Sequence, residues 1–326
     1  MMISELQNDI DVYLSYSNLL DDNHQVIFLS ESESNINFLI DVGAEKYVFR
    51  LNKISQLGLR NQIRYEYDAL KTLERSYVTP TTFFLDDSTT FFEYGVLIMQ
   101  YIEGRPLEYK RDLHEAAKIF GTIHSLNTEK IDISSFLKCE NIVENSLNKS
   151  KILLDGFLKS SKLDVGTKLK ISNFLEWGEK NKDCGLYFKK DEWNTINNTE
   201  PHAKNFIISE KKRKGFLIDW EKPVVSDPSA DLAYFLSPLS TIMTSNYTFT
   251  EDERDNFFKT YIMYLDKYDR DIVERVHVYT PFLYLELLSK LVNKFIKLED
   301  NQDIKHKKLR QIVNIEFINK LTQDIL

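Results

Sequence analysis

The chain has 326 residues, a formal net charge of -8 and a hydrophobic content of 42%. This acidic balance leaves no broad basic face for a phosphate backbone, so nucleic acid is not an expected partner. No segment approaches the roughly 18 apolar residues that span a bilayer, and Cys139 and Cys184 lack metal-ligand spacing. We therefore expect no membrane association, no zinc site and a cytoplasmic protein.

The first hundred residues alternate apolar and polar side chains, which predicts an antiparallel sheet. After a short helical start, we predict strands at 26–30, 36–42, 47–51, 82–85 and 95–101, with one helix at 62–75. Gly104-Arg105-Pro106 is a loop signal. It marks the boundary between an N-terminal lobe, residues 1–102, and a C-terminal lobe, residues 103–326.

Beyond this boundary the periodicity is mainly helical. Helices are predicted at 113–126, 142–158, 166–180, 251–267 and from Pro281 onwards. Strand-like pieces interrupt them between residues 193 and 236. Strands first and helices afterwards indicate an α+β protein of two unequal lobes.

The residues that can carry chemistry are concentrated in two runs, NNTEPHAKNFII at 197–208 and FLIDWEKPVVSDPSADLAYF at 216–235. Asn205 precedes one apolar strand and Asp219 ends another, across a basic turn at 211–214 that runs into Gly215. A hairpin would bring these two oxygen ligands together, as a hard cation such as Mg²⁺ requires. Glu200 lies on the loop that enters the hairpin.

This segment resembles the catalytic core of the aminoglycoside phosphotransferase and choline kinase superfamily, whose pattern is HxDxxxxN, a short hairpin, IDWE and a later DLA. IDWE is present at 218–221 and DLA at 231–233, whereas Glu200 stands at the catalytic Asp position and Asn198 at the His position. The resemblance implies that Glu200 is catalytic and that Asn205 and Asp219 hold Mg²⁺.

The same resemblance implies a bilobal protein-kinase-like fold, with an antiparallel sheet and one helix in a small nucleotide-binding lobe. The larger, mainly helical lobe would carry catalysis and the acceptor. The run LIMQYIEG at 97–104 resembles the hinge strand. Backbone groups of Gln100 and Ile102 would therefore bind the adenine of ATP, and Met99 would line its pocket.

Arg50 falls in the third predicted strand, where related kinases place a phosphate-binding lysine, and Glu66 on the next helix is its natural partner. Arginine can hold two phosphate oxygens with its planar fork. The loop at 31–35, which replaces the glycine-rich phosphate loop, contains no glycine. In the second lobe, Asp231 fits the N-cap of a helix and His124 a packing role.

Together these features predict an ATP- and Mg²⁺-dependent phosphotransferase acting on a hydroxyl of a small molecule. An aminoglycoside, choline or ethanolamine, and a sugar-like compound all remain open as the acceptor. The alternative is a nucleotide-binding pseudokinase scaffold, suggested by Glu200, Asn198 and the glycine-free loop. A protein substrate is a weaker third hypothesis, because the interval from Asp219 to Asp231 is too short for an activation loop. The sequence assigns no oligomeric state.

Overall fold

The computed structural model describes residues 3–17, 19–20, 23–245, 247–265, 271–298 and 304–326. Its strands are Gln25–Glu31 (β1), Asn35–Asp41 (β2), Lys46–Asn52 (β3), Thr82–Asp86 (β4), Gly95–Gln100 (β5), Arg105–Pro106 (β6), Thr195–Asn197 (β7), Phe206–Ser209 (β8), Lys214–Leu217 (β9) and Val224–Ser226 (β10).

The helices account for most of the remaining regular structure. They are Ile3–Ser17 (α1), Gln62–Leu73 (α2), Tyr109–His124 (α3), Ile142–Leu153 (α4), Val165–Lys180 (α5), Gly185–Lys190 (α6), Ser229–Leu236 (α7), Pro238–Thr244 (α8), Glu251–Met263 (α9), Ile272–Lys297 (α10), Ile304–Ile312 (α11) and Ile315–Leu321 (α12). The chain is an α+β protein, as the sequence predicts. Among the helices described, none is both long and apolar enough to cross a membrane.

The chain divides into two compact units that are not contiguous in sequence. The first unit comprises residues 1–108, 126–136 and 204–223, and the second comprises 109–125, 137–203 and 224–326. The first unit includes the β8–β9 hairpin because β6 pairs with β8, placing Arg105 opposite Ile208. The predicted lobes, 1–102 and 103–326, follow the sequence order instead, and that division remains a prediction.

The main sheet of the first unit is antiparallel, with strand order β1-β2-β3-β5-β4. Phe38 on β2 lies opposite Phe49 on β3, and both side chains are completely buried. Ile10 and Leu14 of α1 belong to the same apolar cluster. Helix α1 thus covers the sheet, and burial of apolar area is the main force that joins them.

The β8–β9 hairpin forms where the sequence predicts it, with a small shift of the turn. Four residues, 210–213, connect the strands, and Arg213 takes the left-handed conformation at φ 51°. Gly215 is therefore not a turn residue and lies within β9, paired with Ile208. The Lys212 and Lys214 ammonium groups lie over the Phe216 ring, 5.2 and 4.8 Å from its centroid, so the basic run makes cation–π contacts within the hairpin.

The second unit is mainly helical, with β7 and β10 forming a two-stranded sheet. Phe120, Phe235 and Phe257, from α3, α7 and α9, form a cluster of rings 5.4–6.2 Å apart. The rings are buried. This cluster supplies much of the apolar area that holds these helices together.

Several predicted helix boundaries are wrong, among them the start of α3, which begins at Tyr109 rather than at residue 113. Helix α10 begins at Ile272, and Pro281 lies inside it, because a proline can stay within a long helix whose buried face supplies the stability. Helix α4 ends at Leu153 rather than near residue 158, since Gly156 adopts φ 74° and leads the chain away. Helix α9 ends at Met263, with Tyr264 as its C-cap, so it is shorter than predicted; residue 267 itself lies outside the described residues.

Candidate functional site

A cavity of about 220 Å³ lies entirely within the first unit. Leu29 and Val48 of the main sheet line it, together with Ile207 and Ile218 of the hairpin. Met99, Gln100 and Ile102, which the hinge resemblance singled out, also line this cavity. Apolar walls with a few polar groups suit a flat ring such as a nucleotide base.

The backbone near the end of β5 restricts how a base could be bound. The Gln100 N–H donates to the Thr81 carbonyl at 2.7 Å, and the Tyr101 N–H donates to the Lys46 carbonyl at 3.2 Å. Since the Gln100 donor is engaged within the unit, this residue would have to contact a base through its carbonyl oxygen or side chain. Ile102 is buried, and its backbone is the other predicted contact.

Arg50 and Glu66 form a buried ion pair, as the sequence predicts. Arg50 projects from β3 and Glu66 from α2, and the Glu66 side chain is only 1% exposed. The Arg50 Nε donates to Asn37 Oδ1 at 2.9 Å, and its Nη1 lies 3.6 Å from Asp219 Oδ1. The guanidinium is therefore fixed between strand, helix and hairpin of the same unit.

Negative charge exceeds positive charge around Arg50. Burial, together with the carboxylates Asp219 and Glu221, raises the pKa of Glu66 to about 7 against the opposing effect of Arg50. Burial alone lowers the pKa of Arg50, but Glu66, Asp219 and Glu221 raise it above its ordinary value. Among the described residues, no hydrogen-bond partner reaches the buried Glu66 Oε2. Such a cluster favours an added cation.

Asn205 and Asp219 line a second cavity of about 350 Å³, again within the first unit. The Ile218 N–H donates to the Asn205 carbonyl at 2.7 Å, which brings the ends of the hairpin together. Arg50, Ile218 and Asp219 line both cavities, so the two adjoin. Asp219 adopts φ 65°, a left-handed conformation that is uncommon outside glycine and a frequent mark of functional sites.

The donor set fits a magnesium ion held jointly with phosphate groups. No cluster of three or more His, Cys, Asp or Glu side chains that could bind a metal occurs in the described part of the chain. Mg²⁺, however, usually takes one or two protein oxygens and completes its shell with water and substrate phosphates. Asn205 and Asp219, beside uncompensated carboxylate charge, meet that requirement.

Two amide side chains at this cavity escaped the sequence reasoning. Asn35 Nδ2 donates to one Glu221 carboxylate oxygen at 2.5 Å, and Gln56 Nε2 donates to the other at 2.7 Å. Asn52 in turn donates to Asn35 at 2.9 Å. The glycine-free loop at 31–35 is thereby tied to the hairpin. The only sequence signal for this network is the pair of asparagines Asn35, at the start of β2, and Asn52, at the end of β3, which lie opposite each other.

Glu200, the predicted catalytic residue, belongs to the second unit. Its carboxylate is half-exposed and forms an ion pair with Lys290 of α10 at 3.1 Å. Lys290 also pairs with the buried Glu286 at 3.2 Å. Sequence reasoning missed Lys290, because 90 residues separate it from Glu200 and no motif marks it.

The loop that carries Glu200 is held in place by hydrogen bonds to Asp231. The Asn198 and Thr199 N–H groups donate to the two Asp231 carboxylate oxygens at 2.7 and 2.8 Å. The expected N-cap role of Asp231 is wrong, since α7 begins two residues earlier at Ser229 and Pro228 is its N-cap. His124 is buried as expected, with its Nδ1 3.0 Å from the Tyr261 hydroxyl.

Comparison with known proteins rests on structure. No family model and no curated protein sequence matches the chain. The fold is that of small-molecule kinases. Choline kinase from Cryptosporidium parvum Iowa II superposes with a TM-score of 0.66 at 15% identity, covering 97% of this chain and 96% of that one.

Two further solved structures have the same fold. Choline kinase from Streptococcus pneumoniae gives a TM-score of 0.59 at 19% identity, covering 97% of this chain and 99% of that one. A spectinomycin phosphotransferase, solved with ADP and spectinomycin, gives 0.59 at 13% identity with 98% of each chain covered. The predicted resemblance to aminoglycoside phosphotransferases and choline kinases is thus confirmed at the level of the fold.

Proposed function

We propose that this chain is an ATP- and Mg²⁺-dependent kinase that transfers the γ-phosphoryl group to a hydroxyl of a small molecule. The observation that carries the proposal is the arrangement around Arg50. One unit places an apolar base-sized cavity next to a polar one, and Arg50, Asn205 and Asp219 line the polar cavity. The fold shared with choline kinases and a spectinomycin phosphotransferase supports the same chemistry.

Each residue has a distinct role in this proposal. Arg50, held by Glu66, would contact phosphate oxygens, while Asn205 and Asp219 would hold Mg²⁺. Bound there, the metal neutralises phosphate charge and so supplies electrostatic stabilisation. Glu200 would accept the proton of the acceptor hydroxyl as its oxygen bonds to the γ-phosphorus and the bond to ADP breaks.

The environment proposed for this kinase is a reducing cytoplasm. Cys139 and Cys184 are both free thiols, and a disulfide framework is not needed for a chain of this size. We also propose the sequence division, a nucleotide-binding lobe at 1–102 and a catalytic and acceptor-binding lobe at 103–326. The acceptor belongs to the class of small hydroxyl compounds, and choline-like, aminoglycoside-like and sugar-like members are its candidates.

A second candidate is a nucleotide-binding scaffold without turnover. Two observations favour it: Glu200 and Asn198 replace the Asp and His of the family pattern, and Asn35 and Gln56 tie the glycine-free loop to Glu221. A scaffold would bind nucleotide in the first unit and make no use of the Glu200 carboxylate. The two candidates therefore differ in a single measurable property, acceptor-dependent turnover.

The deciding experiment measures ATP consumption with Mg²⁺ against amino alcohols, aminoglycosides, sugars and nucleosides. For a kinase, Glu200→Ala should lower acceptor-dependent kcat by about 100-fold or more and leave ADP affinity nearly unchanged. Glu200→Asp serves as the matched variant, because it keeps the carboxylate and removes one methylene. Tight ADP binding without turnover on any acceptor would favour the scaffold.

A further inference from the structure

A polar cluster in the second unit surrounds Lys290, whose side chain projects from α10 and is 36% exposed. Its ammonium lies 3.1 Å from a Glu200 carboxylate oxygen and 3.2 Å from a Glu286 oxygen. Glu286 is one helical turn earlier on α10 and is itself fixed by Ser146, whose hydroxyl donates to it at 2.7 Å. Lys290 is thus anchored to Glu286 of its own helix and contacts Glu200 of the loop with the same ammonium group.

The charges of this cluster leave Lys290 as a cation. Burial alone lowers the pKa of Lys290, but Glu286 and Glu200 raise it above its ordinary value. Lys149 of α4 faces Glu286 from the other side at 3.5 Å. Tyr234 of α7 lies near Glu200 and Glu286, and its phenol remains protonated because burial and these carboxylates raise its pKa. Tyr279 of α10 also lies near Glu286, and burial together with this carboxylate raises its pKa, so it too stays protonated.

Glutamate has one more rotatable bond than aspartate, so a glutamate that serves as a base needs a partner to restrict its carboxylate. A buried helix presents a charged lysine at hydrogen-bonding distance from Glu200, and that lysine is anchored by Glu286. We propose that Lys290 is a positioning residue that orients the Glu200 carboxylate and keeps it ionised. The inference deepens the proposed kinase function and rests on Glu200 as its base.

The first test is kinetic and uses three variants of the full-length chain. Lys290→Met should lower kcat on the order of 10-fold, with a smaller change in KM and none in ADP affinity, since misorientation affects the reacting group. Lys290→Arg, which keeps the positive charge, should recover most of that loss. Lys294→Met is the matched control, because Lys294 is exposed and one turn further along the same helix.

The second test does not depend on turnover. The Glu200 carboxyl is followed by NMR in protein labelled with ¹³C-glutamate and assigned from the Glu200→Gln spectrum. Loss of the nearby ammonium should raise the Glu200 pKa by about one unit in Lys290→Met, and Lys294→Met should leave it unchanged. Thermal unfolding of each variant verifies that the chain is folded.

The outcomes separate this inference from the proposed function. A raised Glu200 pKa together with a kcat loss rescued by arginine supports both. A raised pKa in a chain that turns over no acceptor supports the Lys290 contact and rejects the kinase. An unchanged Glu200 pKa in Lys290→Met, or equal kinetic effects of Lys290→Met and Lys294→Met, overturns the inference whatever the activity.

Discussion

At the scale of single residues, Asp219 must adopt an unusual backbone conformation and also place a carboxylate next to Arg50. Its backbone is left-handed at φ 65°, and its carboxylate lies 3.6 Å from Arg50 at the edge of the polar cavity. Asp and Asn are the residues, apart from glycine, that tolerate this conformation best. Substitution by asparagine therefore removes the carboxylate and keeps the backbone conformation, whereas alanine disturbs both.

Asp219→Asn should keep the fold and lose the response to metal. Mg²⁺ should tighten ADP binding to the unmodified chain by about 10-fold or more and should have little effect on Asp219→Asn. Calorimetric titration of ADP with and without Mg²⁺ measures this. Asp219→Ala should in addition be about 1–2 kcal/mol less stable, because alanine pays a steric penalty in the left-handed region. An equal Mg²⁺ response in both proteins would contradict the assignment of Asp219 as a ligand.

The buried Glu66 should make stability depend on pH. Its pKa is raised from 4.5 to about 7, so the folded chain binds more protons than the unfolded chain between these values. The contribution of Glu66 to stability is therefore greatest at low pH and is lost as pH rises through about 7. The free energy of unfolding, measured in urea at pH 5 and pH 7.5, should fall more between these pH values for the unmodified chain than for Glu66→Gln. The expected difference is on the order of 3 kcal/mol. Parallel declines would count against a raised pKa.

At the scale of secondary-structure elements, the main sheet could be predicted because its strands alternate apolar and polar residues and separate at clear turn signals. The hairpin with Asn205 and Asp219 was predictable for the same reason. Pairings between distant residues were not, since the Lys290–Glu200 contact joins residues 90 positions apart. The polar network of Asn35 and Gln56 also depends on packing, and side chains of this type are common in ordinary loops.

Gly104, just before β6, lies very close to strand β8. A Cβ at this position would lie 2.4 Å from the Ile208 carbonyl oxygen and 2.8 Å from Ile207 Cγ2. Gly104→Ala should cost about 1–3 kcal/mol of stability and weaken ADP binding, because Ile207 lines the apolar cavity. Gly43→Ala is the control: φ 82° makes alanine cost stability there too, but its Cβ meets nothing within 4 Å, so ADP affinity should not change. Unchanged affinity in Gly104→Ala would show that the hairpin can shift freely.

Asp231 connects α7 to the loop that carries Glu200. Asp231→Ala would leave the buried Asn198 N–H and the half-buried Thr199 N–H without these acceptors, at a cost of up to about 1–3 kcal/mol each. We expect kcat to fall with little change in ADP affinity, because the residues that line the two cavities proposed for nucleotide all belong to the first unit. Steady-state kinetics and ADP titration measure the two effects. A parallel loss of ADP affinity would show that Asp231 supports more than its loop.

At the scale of the whole molecule, nucleotide binding should be a property of the first unit. Hydrogen exchange measured with ADP and Mg²⁺ should show added protection mainly in residues 1–108 and 204–223. Ligand at 100 times its dissociation constant should also stabilise the chain by about 2.7 kcal/mol. Protection confined to the second unit would place the nucleotide elsewhere and remove the basis for the proposed kinase.

The order of the segments along the chain has a consequence for biosynthesis. Five residues between 205 and 221 complete cavities whose other walls come from the first 104 residues: Asn205, Ile207, Ile218, Asp219 and Glu221. During translation the cavities therefore stay incomplete until about 100 further residues have been synthesised, at roughly 5–20 residues per second. If ATP binds as proposed, it cannot stabilise the nascent chain through this site until the ribosome has passed residue 221. Until then, the early sheet must persist on its own apolar core.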